Sequence, residues 1–150
     1  MRDFQEENIR VLFLGDRSAF APELRELINR TEEASADKTG MVLNIAMNYG
    51  GRDEIIRACR LLIEEVQQGR LHAEDIDEAC FSNHLYTAGQ PDPDLIIRPS
   101  GENRISNFLL WQSAYAEYVI MDILWPDFKK KDLDRALEIF AKRSRRFGGV

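Results

Sequence analysis

Four short apolar runs alternate along the chain with longer segments in which apolar residues recur every three or four positions. Short runs that are apolar on both faces are typical of parallel strands, and a spacing of three or four is typical of amphipathic helices. The pattern therefore predicts strands at 9–14, 41–47, 95–98 and 118–121. It predicts helices at 22 to about 30, about 52–68, 105 to about 114 and 133–146, with short helical pieces at 73–80 and 83–86.

The alternation of strands and helices predicts an α/β fold with a mainly parallel sheet flanked by helices. No repeat, low-complexity tract or linker-like segment interrupts residues 1–150, which we interpret as a single domain. The first predicted strand begins near residue 9 and has no predicted neighbour on one side. An apolar strand with an unpaired edge attracts other chains, so this edge indicates an incomplete sheet.

Composition narrows the function classes. The 150 residues are 44% hydrophobic and 31% charged, and the net charge of −6 excludes a general attraction to nucleic acid. Any anion site must therefore be a local basic cluster. Cys59 and Cys80 lie far apart in the sequence, which favours reduced thiols and a cytoplasmic protein. No apolar run approaches the roughly 20 residues of a membrane span, so we expect at most peripheral membrane contact.

The segment 94–128 carries the candidate chemistry. Arg98 closes an apolar strand, Arg104 and Ser106 open the next predicted helix, and Glu117 precedes the last strand. Cations at a strand end, with a hydroxyl at a helix start, suit the binding of a diphosphate. A carboxylate nearby suits the Mg²⁺ that accompanies diphosphates. These four residues are the candidate ligand-binding and metal-binding positions.

Each candidate also has a plain structural interpretation. Arg98 could be a surface arginine in a salt bridge, and Glu117 could be a charged residue at a strand start. Ser106 could be an ordinary helix N-cap, which is compatible with ligand binding. The turn 48–52, Asn-Tyr-Gly-Gly-Arg, could support a phosphate or could simply be a turn between strand and helix.

The chain closely resembles the cis-prenyltransferases, and the bacterial undecaprenyl diphosphate synthases are the nearest members. The resemblance covers nearly the whole chain without obvious gaps. The matching residues are Leu43-Asn44-Ile45-Ala46, Asn48-Tyr49-Gly50-Gly51-Arg52, Arg98, Ser100-Gly101-Glu102, Arg104-Ile105-Ser106-Asn107-Phe108, Trp111-Gln112, Tyr115-Ala116-Glu117, Leu124-Trp125-Pro126-Asp127-Phe128 and Arg145-Arg146-Phe147-Gly148-Gly149.

The resemblance implies an enzyme that condenses isopentenyl diphosphate with an allylic diphosphate, farnesyl diphosphate being expected. The product would be a long-chain polyprenyl diphosphate such as undecaprenyl diphosphate, a lipid carrier for cell-wall synthesis. By the same resemblance, Arg98, Arg104 and Ser106 bind the diphosphate of isopentenyl diphosphate. Glu117 is then the carboxylate near Mg²⁺.

The resemblance also implies a homodimer, in which Arg146 and Gly148 belong to a tail that reaches a neighbouring subunit's diphosphate. The family's N-terminal Met-Asp-Gly-Asn-like segment, with its catalytic aspartate, has no counterpart here. We therefore expect the C-terminal portion of a cis-prenyltransferase that lacks the N-terminal strands, without assigning a catalytic residue. The alternatives are a non-catalytic partner subunit and an inactive fragment.

Overall fold

Strands and helices alternate through most of the computed structural model, which describes residues 7–143. In chain order they are β1 (Arg10–Leu14), α1 (Pro22–Ala34), β2 (Val42–Ala46), α2 (Gly51–Gln67), a 3₁₀ turn (Ala73–Asp75), α3 (Glu78–Ser82), β3 (Leu95–Arg98), β4 (Glu117–Ile120), a second 3₁₀ turn (Trp125–Asp127) and α4 (Lys130–Ala141). The predicted α/β class is confirmed. Within the described residues, no helix is both long and apolar enough to cross a membrane.

The strands form two parallel pairs. β1 pairs with β2, with Arg10 opposite Val42, and β3 pairs with β4, with Leu95 opposite Glu117. The parallel arrangement predicted from the apolar runs is therefore present in both pairs. The chain divides into two compact units, whose described parts are residues 7–89 and 90–143. The single domain stays a prediction.

The first unit packs its two strands and helices around a small apolar core. Val11 and Leu14 of β1, Ile28 of α1 and Leu62 of α2 are each at most 5% exposed. β2 differs from the prediction of a strand covered on both faces, because its residues alternate between exposed and half-buried, with Val42 43% exposed. The described part of the chain covers only one face of β2.

Side chains of α1 and of the segments on either side of it close the outer edge of β1, which the sequence had suggested would be unpaired. Ser35, 3% exposed, accepts a hydrogen bond from the Val11 amide at 3.0 Å. The Glu32 carboxylate accepts one from the Phe13 amide at 2.9 Å. Arg17 pairs with Glu32 at 2.5 Å and donates to the Phe13 carbonyl at 3.0 Å. These groups satisfy the edge as a neighbouring strand would.

Glycines bring the chain close together at both ends of the β1–β2 pair. A Cβ at Gly15, which has φ +123°, would lie 2.1 Å from the Met47 carbonyl oxygen. A Cβ at Gly40 would lie 2.4 Å from the Asn8 carbonyl oxygen. Since no real Cβ approaches a backbone oxygen so closely, both positions require glycine.

The second unit packs β3 and β4 against α4. Val119 and Met121 of the β4 segment and Ala136 of α4 form its buried cluster, with Leu95 and Ile97 of β3 against it. The first turn of α4 is fixed by the Asp132 carboxylate, which accepts a hydrogen bond from the Lys129 amide at 2.9 Å. This capping places the apolar side of α4 over one face of the strand pair.

The helix predicted at 105–114 was wrong. This segment forms a series of turns, and Ser106, Asn107 and Leu109 have φ values of 53°, 61° and 46°. Left-handed residues at these positions interrupt the repeating i→i−4 hydrogen bonds of a right-handed helix. The piece predicted at 83–86 is likewise a turn. Residues 144–146 of the last predicted helix lie outside the described residues.

Candidate functional site

The faces of the β3–β4 pair determine which predicted site residues can act together. Alternate residues of a strand point to opposite faces, and residues opposite each other in register share a face. The α4 face carries Leu95, Ile97, Glu117 and Val119, three of which lie in the cluster with α4. The opposite face, here called the Arg98 face, carries Ile96, Arg98, Tyr118 and Ile120.

Arg98 and Ser106 are brought together at the carboxyl end of β3. The Nη2 group of Arg98 donates a hydrogen bond of 3.3 Å to the Ser106 hydroxyl oxygen. The neighbouring Nε of the same guanidinium is buried and has no hydrogen-bond partner among the described residues. Nε and Nη2 form one edge of the planar group, the edge that binds carboxylate or phosphate through two parallel bonds. This edge is therefore only half satisfied.

Ser106 reaches Arg98 from a turn. Its φ of 53° is left-handed, whereas an N-cap residue is extended. The predicted helix start is thus absent, and no helix dipole contributes to an anion site here. The Ser106 hydroxyl still contacts the Arg98 guanidinium. The two side chains are therefore close together, as the sequence predicted.

The turn 99–101 offers little to an anion through its backbone. The Ser100 amide donates to the Ile123 carbonyl at 2.7 Å, and the Gly101 amide donates to the Met121 carbonyl at 2.9 Å. Both donors are therefore committed to holding the turn against the end of β4. Anion binding at this strand end depends on side chains.

Arg104 is not gathered with Arg98 and Ser106. Its side chain is 68% exposed, and its Nη2 pairs with the Glu102 carboxylate at 2.5 Å. An exposed pair of this kind is worth about 0–1 kcal/mol, so it exchanges readily for another anion. To turn this Nη2 group toward a ligand, Arg104 must leave Glu102.

Glu117 lies at the other end of the strand pair from Arg98, and on the other face. It is opposite Leu95, three residues before Arg98, which is roughly 10 Å along the strands. Its Oε2 accepts a hydrogen bond of 2.6 Å from Arg143, just beyond α4. Within one chain, Glu117 and the Arg98–Ser106 pair form separate sites.

The donor set at Glu117 suits Mg²⁺ only as a single contributor. No group of three or more potential metal-ligating side chains occurs between residues 7 and 143. Glu117 is 28% exposed, and only its Oε2 is engaged by Arg143. Mg²⁺ commonly takes one or two carboxylates and completes its shell with phosphates and water. Glu117 can therefore offer one oxygen, provided that a ligand supplies the rest.

Arg146 and Gly148, the predicted tail residues, lie outside the described residues. Their contribution to a neighbouring subunit stays a prediction.

The turn after β2, suggested as a support for phosphate, lines an acidic pocket in the first unit. The pocket, of about 340 Å³, is lined by Asn48, Tyr49 and Gly50 with the carboxylates Asp16 and Asp53. Hydrogen bonds from the Ser18 amide, and secondarily from its hydroxyl, hold the pKa of Asp16 below its usual 3.8. Two carboxylates repel a phosphate, so this pocket is a poor anion site.

Two residues next to the candidate positions were missed from the sequence. Arg143 is identified only by its contact with Glu117 and had no sequence signal. Tyr118, which the sequence did not single out, has a buried hydroxyl without a hydrogen-bond partner among the described residues. Only the register of β3 against β4 places Tyr118 on the Arg98 face. A separate pocket of about 260 Å³, between the end of β4 and α4, is lined by none of the predicted site residues.

Comparison with known proteins identifies the family of the chain. The profile of the family described as "Putative undecaprenyl diphosphate synthase" matches residues 1–148. The isoprenyl transferase of Clostridium perfringens is 49% identical over 148 residues, which are 99% of this chain and 58% of the relative. The Escherichia coli K12 ditrans,polycis-undecaprenyl-diphosphate synthase, specific for (2E,6E)-farnesyl diphosphate, is 48% identical over the full chain and 59% of its own length.

Solved structures give the same result. The lavandulyl diphosphate synthase of Lavandula x intermedia, in complex with dimethylallyl diphosphate, aligns with a TM-score of 0.92 and 38% identity, over 98% of this chain and 67% of that one. A probable undecaprenyl diphosphate synthase from Campylobacter jejuni aligns with a TM-score of 0.83 and 32% identity, over 99% and 67%. The chain spans somewhat less than two thirds of the curated relatives it matches. The chain belongs to the undecaprenyl diphosphate synthase family of prenyltransferases.

Proposed function

We propose that this chain is the isopentenyl diphosphate-binding part of a cis-prenyltransferase. The whole enzyme would condense isopentenyl diphosphate with an allylic diphosphate, farnesyl diphosphate being expected, to form a long-chain polyprenyl diphosphate such as undecaprenyl diphosphate. The observation that carries the proposal is the half-satisfied Nε–Nη2 edge of Arg98 beside the Ser106 hydroxyl. The relatives, which are isoprenyl transferases and undecaprenyl diphosphate synthases, support the same reaction class.

The chain's own residues would act by holding the substrate. Two oxygens of one phosphate would accept from Nε and Nη2 of Arg98, and the Ser106 hydroxyl would turn to donate to the same group. Arg104 would exchange Glu102 for the second phosphate. Fixing the diphosphate in this way orients the isopentenyl double bond toward the allylic carbon and converts a bimolecular encounter into a positioned one.

Magnesium, the homodimer and the cytoplasmic location belong to the same proposal. Glu117 would hold Mg²⁺ through one carboxylate oxygen, and bound Mg²⁺ would neutralise charge on a departing diphosphate. Arg146 and Gly148 would contribute to the site of a second subunit. The net charge of −6 argues against nucleic acid as a partner, and contact with a membrane would be peripheral.

Isothermal titration of the full chain with isopentenyl diphosphate tests the binding role. Arg98→Lys keeps the charge but removes the two-bond edge, so we expect affinity to fall at least tenfold. Arg135→Lys is the matched control, because Arg135 is an exposed arginine of the same unit and lies outside the Arg98–Ser106 pair. Equal affinity for the Arg98→Lys variant and the unmodified chain would contradict the proposal.

Incorporation of labelled isopentenyl diphosphate into lipid, with farnesyl diphosphate, Mg²⁺ and detergent, tests the reaction. We expect little product from the chain alone, and product when the N-terminal part of a relative is added. Product from the chain alone would show that the N-terminal aspartate segment is dispensable. The alternative function, a non-catalytic partner subunit, predicts instead that the chain raises the activity of a complete relative even when Arg98 is replaced.

A further inference from the structure

We propose that the hydroxyl of Tyr118 is a further hydrogen-bond donor to the diphosphate that Arg98 binds. The inference rests on the proposed function, since it needs a diphosphate at Arg98. It adds a residue to which the resemblance assigns no role.

Tyr118 and Arg98 lie on one face of the β3–β4 pair. Tyr118 is opposite Ile96 in register, and Arg98 is opposite Ile120, so Tyr118 is the diagonal neighbour of Arg98. With strands about 4.8 Å apart and a rise of about 3.3 Å per residue, the two Cα atoms are roughly 8 Å apart. Long and aromatic side chains commonly meet across such a diagonal.

Both side chains carry a buried polar atom without a partner. The Tyr118 hydroxyl and the Arg98 Nε are each inaccessible to solvent and lack a hydrogen bond within the described residues. A buried donor left unsatisfied is costly, and native proteins seldom contain one without a reason. Two such donors on the same face indicate a shared acceptor that comes from a ligand.

A diphosphate is the acceptor that fits both donors. Its phosphate oxygens are closely spaced and negatively charged, so one group can accept from a guanidinium and a phenol together. The other side chains of this face, Ile96 and Ile120, offer no hydrogen bond. The Ser106 hydroxyl already contacts the other nitrogen of the Arg98 edge. The Arg98 face and the turn at Ser106 together therefore offer one cation and two hydroxyls to a single anion.

Replacing Tyr118 with phenylalanine removes only the hydroxyl. We would titrate the full chain with isopentenyl diphosphate and with inorganic pyrophosphate, and would record thermal unfolding of the unligated chain. We expect Tyr118→Phe to bind both ligands about tenfold more weakly. Because the hydroxyl has no partner in the unligated protein, we expect an unfolding midpoint that is unchanged or slightly raised. Tyr115→Phe, at a position 68% exposed, is the matched control and should bind normally.

Three results would overturn the inference without overturning the proposed function. The first is unchanged affinity in Tyr118→Phe while Arg98→Lys binds weakly, which leaves the proposed function intact. The second is a clear loss of stability in unligated Tyr118→Phe, which would mean that the hydroxyl is bonded within the protein. The third is a loss confined to isopentenyl diphosphate, which would place the hydroxyl near the hydrocarbon. Failure of the unmodified chain to bind either ligand would overturn the proposed function as well.

Discussion

At the scale of single residues, Asp16 links local geometry to a measurable titration. Its carboxylate accepts from the Ser18 amide at 2.8 Å and from the Ser18 hydroxyl at 2.9 Å. Both bonds favour the charged form and lower its pKa, with the amide the larger cause. We expect Ser18→Ala to raise the Asp16 pKa while leaving it below 3.8, because the amide bond persists. Carboxyl NMR across an acid titration measures this, and Asp16→Asn identifies the signal.

The sign of the linked stability follows from the direction of the shift. A carboxylate whose folded pKa is lowered contributes stability that is fully present above its unfolded pKa. That contribution is lost as the pH falls through the lowered pKa. Because Ser18→Ala raises only the folded pKa, the loss should begin at the same pH and be complete at a higher pH than in the unmodified chain. An Asp16 pKa in Ser18→Ala that equals the unmodified value would show that the hydroxyl bond is absent in solution.

Single residues also show how far sequence reasoning reached. Arg98 was placed correctly at a strand end, because an apolar run that stops at a charge marks the exit of a buried strand. The partners of Arg104 and Glu117 were not foreseeable in the same way. Arg143 is 26 residues from Glu117, and their contact depends on how α4 packs. Such pairings are tertiary, and no local pattern encodes them.

At the scale of elements, the contact between β1 and α1, here called the β1–α1 seam, is stabilised by side chains that form hydrogen bonds with the backbone of β1. The Ser35 hydroxyl accepts from the Val11 amide in a buried setting, so its removal leaves a buried donor unsatisfied. We expect Ser35→Ala to lower the free energy of unfolding by about 1–3 kcal/mol. Urea unfolding measures the change, and amide hydrogen exchange should accelerate at Val11 in particular.

Thr31→Ala is the matched control for Ser35→Ala. The Thr31 hydroxyl donates an exposed hydrogen bond to the Leu27 carbonyl of its own helix, so its loss should change stability by less than about 0.5 kcal/mol. Equal destabilisation by the two substitutions, or normal exchange at Val11 in Ser35→Ala, would mean that the seam does not depend on this bond.

Elements differ in how well the sequence predicted them. The strands came out within one or two residues, because short apolar runs bounded by glycine, proline or charge have few alternatives. The segment 105–114 has the apolar spacing of a helix but adopts left-handed turns at three residues. The φ of 46° at Leu109 could not be predicted from the residue type, because leucine favours right-handed helices. The hydrogen bond from Arg98 to Ser106 in this segment is a tertiary contact, which no local pattern encodes.

At the scale of the whole molecule, the described surface leaves an apolar stripe on α4. Leu133 and Leu137, four residues apart and so on one side of the helix, are 41% and 47% exposed. Leu124 and Trp125 nearby in sequence are 61% and 69% exposed. If the proposed homodimer uses this stripe, the double substitution Leu133→Glu with Leu137→Glu should convert a dimer into a monomer, as measured by sedimentation equilibrium.

Lys142→Glu, at the C-cap of α4, controls for the added negative charge and should leave the dimer intact. A monomeric unmodified chain at micromolar concentration would remove the basis of the dimer proposal. A double variant that remains dimeric would place the interface elsewhere.

The whole-molecule predictions succeeded where they depended on repeated pattern. The α/β class and the parallel pairing follow from alternating strands and helices, a signal spread over the entire chain. The sequence pattern did not show whether the predicted site residues lie together. Arg98 and Glu117 belong to different strands, and they lie at opposite ends and on opposite faces of the strand pair. Sequence order placed them 19 positions apart, but only the register reveals that their side chains diverge.

Gly15 and Gly40 should tolerate substitution far less than the strand residues between them. Every missense change at either codon adds a Cβ. The space for that atom is already occupied by a backbone carbonyl oxygen, that of Met47 beside Gly15 and that of Asn8 beside Gly40. Apolar residues of β1 and β2 can be exchanged for others of similar volume at modest cost. In a saturation-mutagenesis survey selected for folded protein, these two positions should therefore be depleted of all nineteen substitutions, while the strands between them retain several.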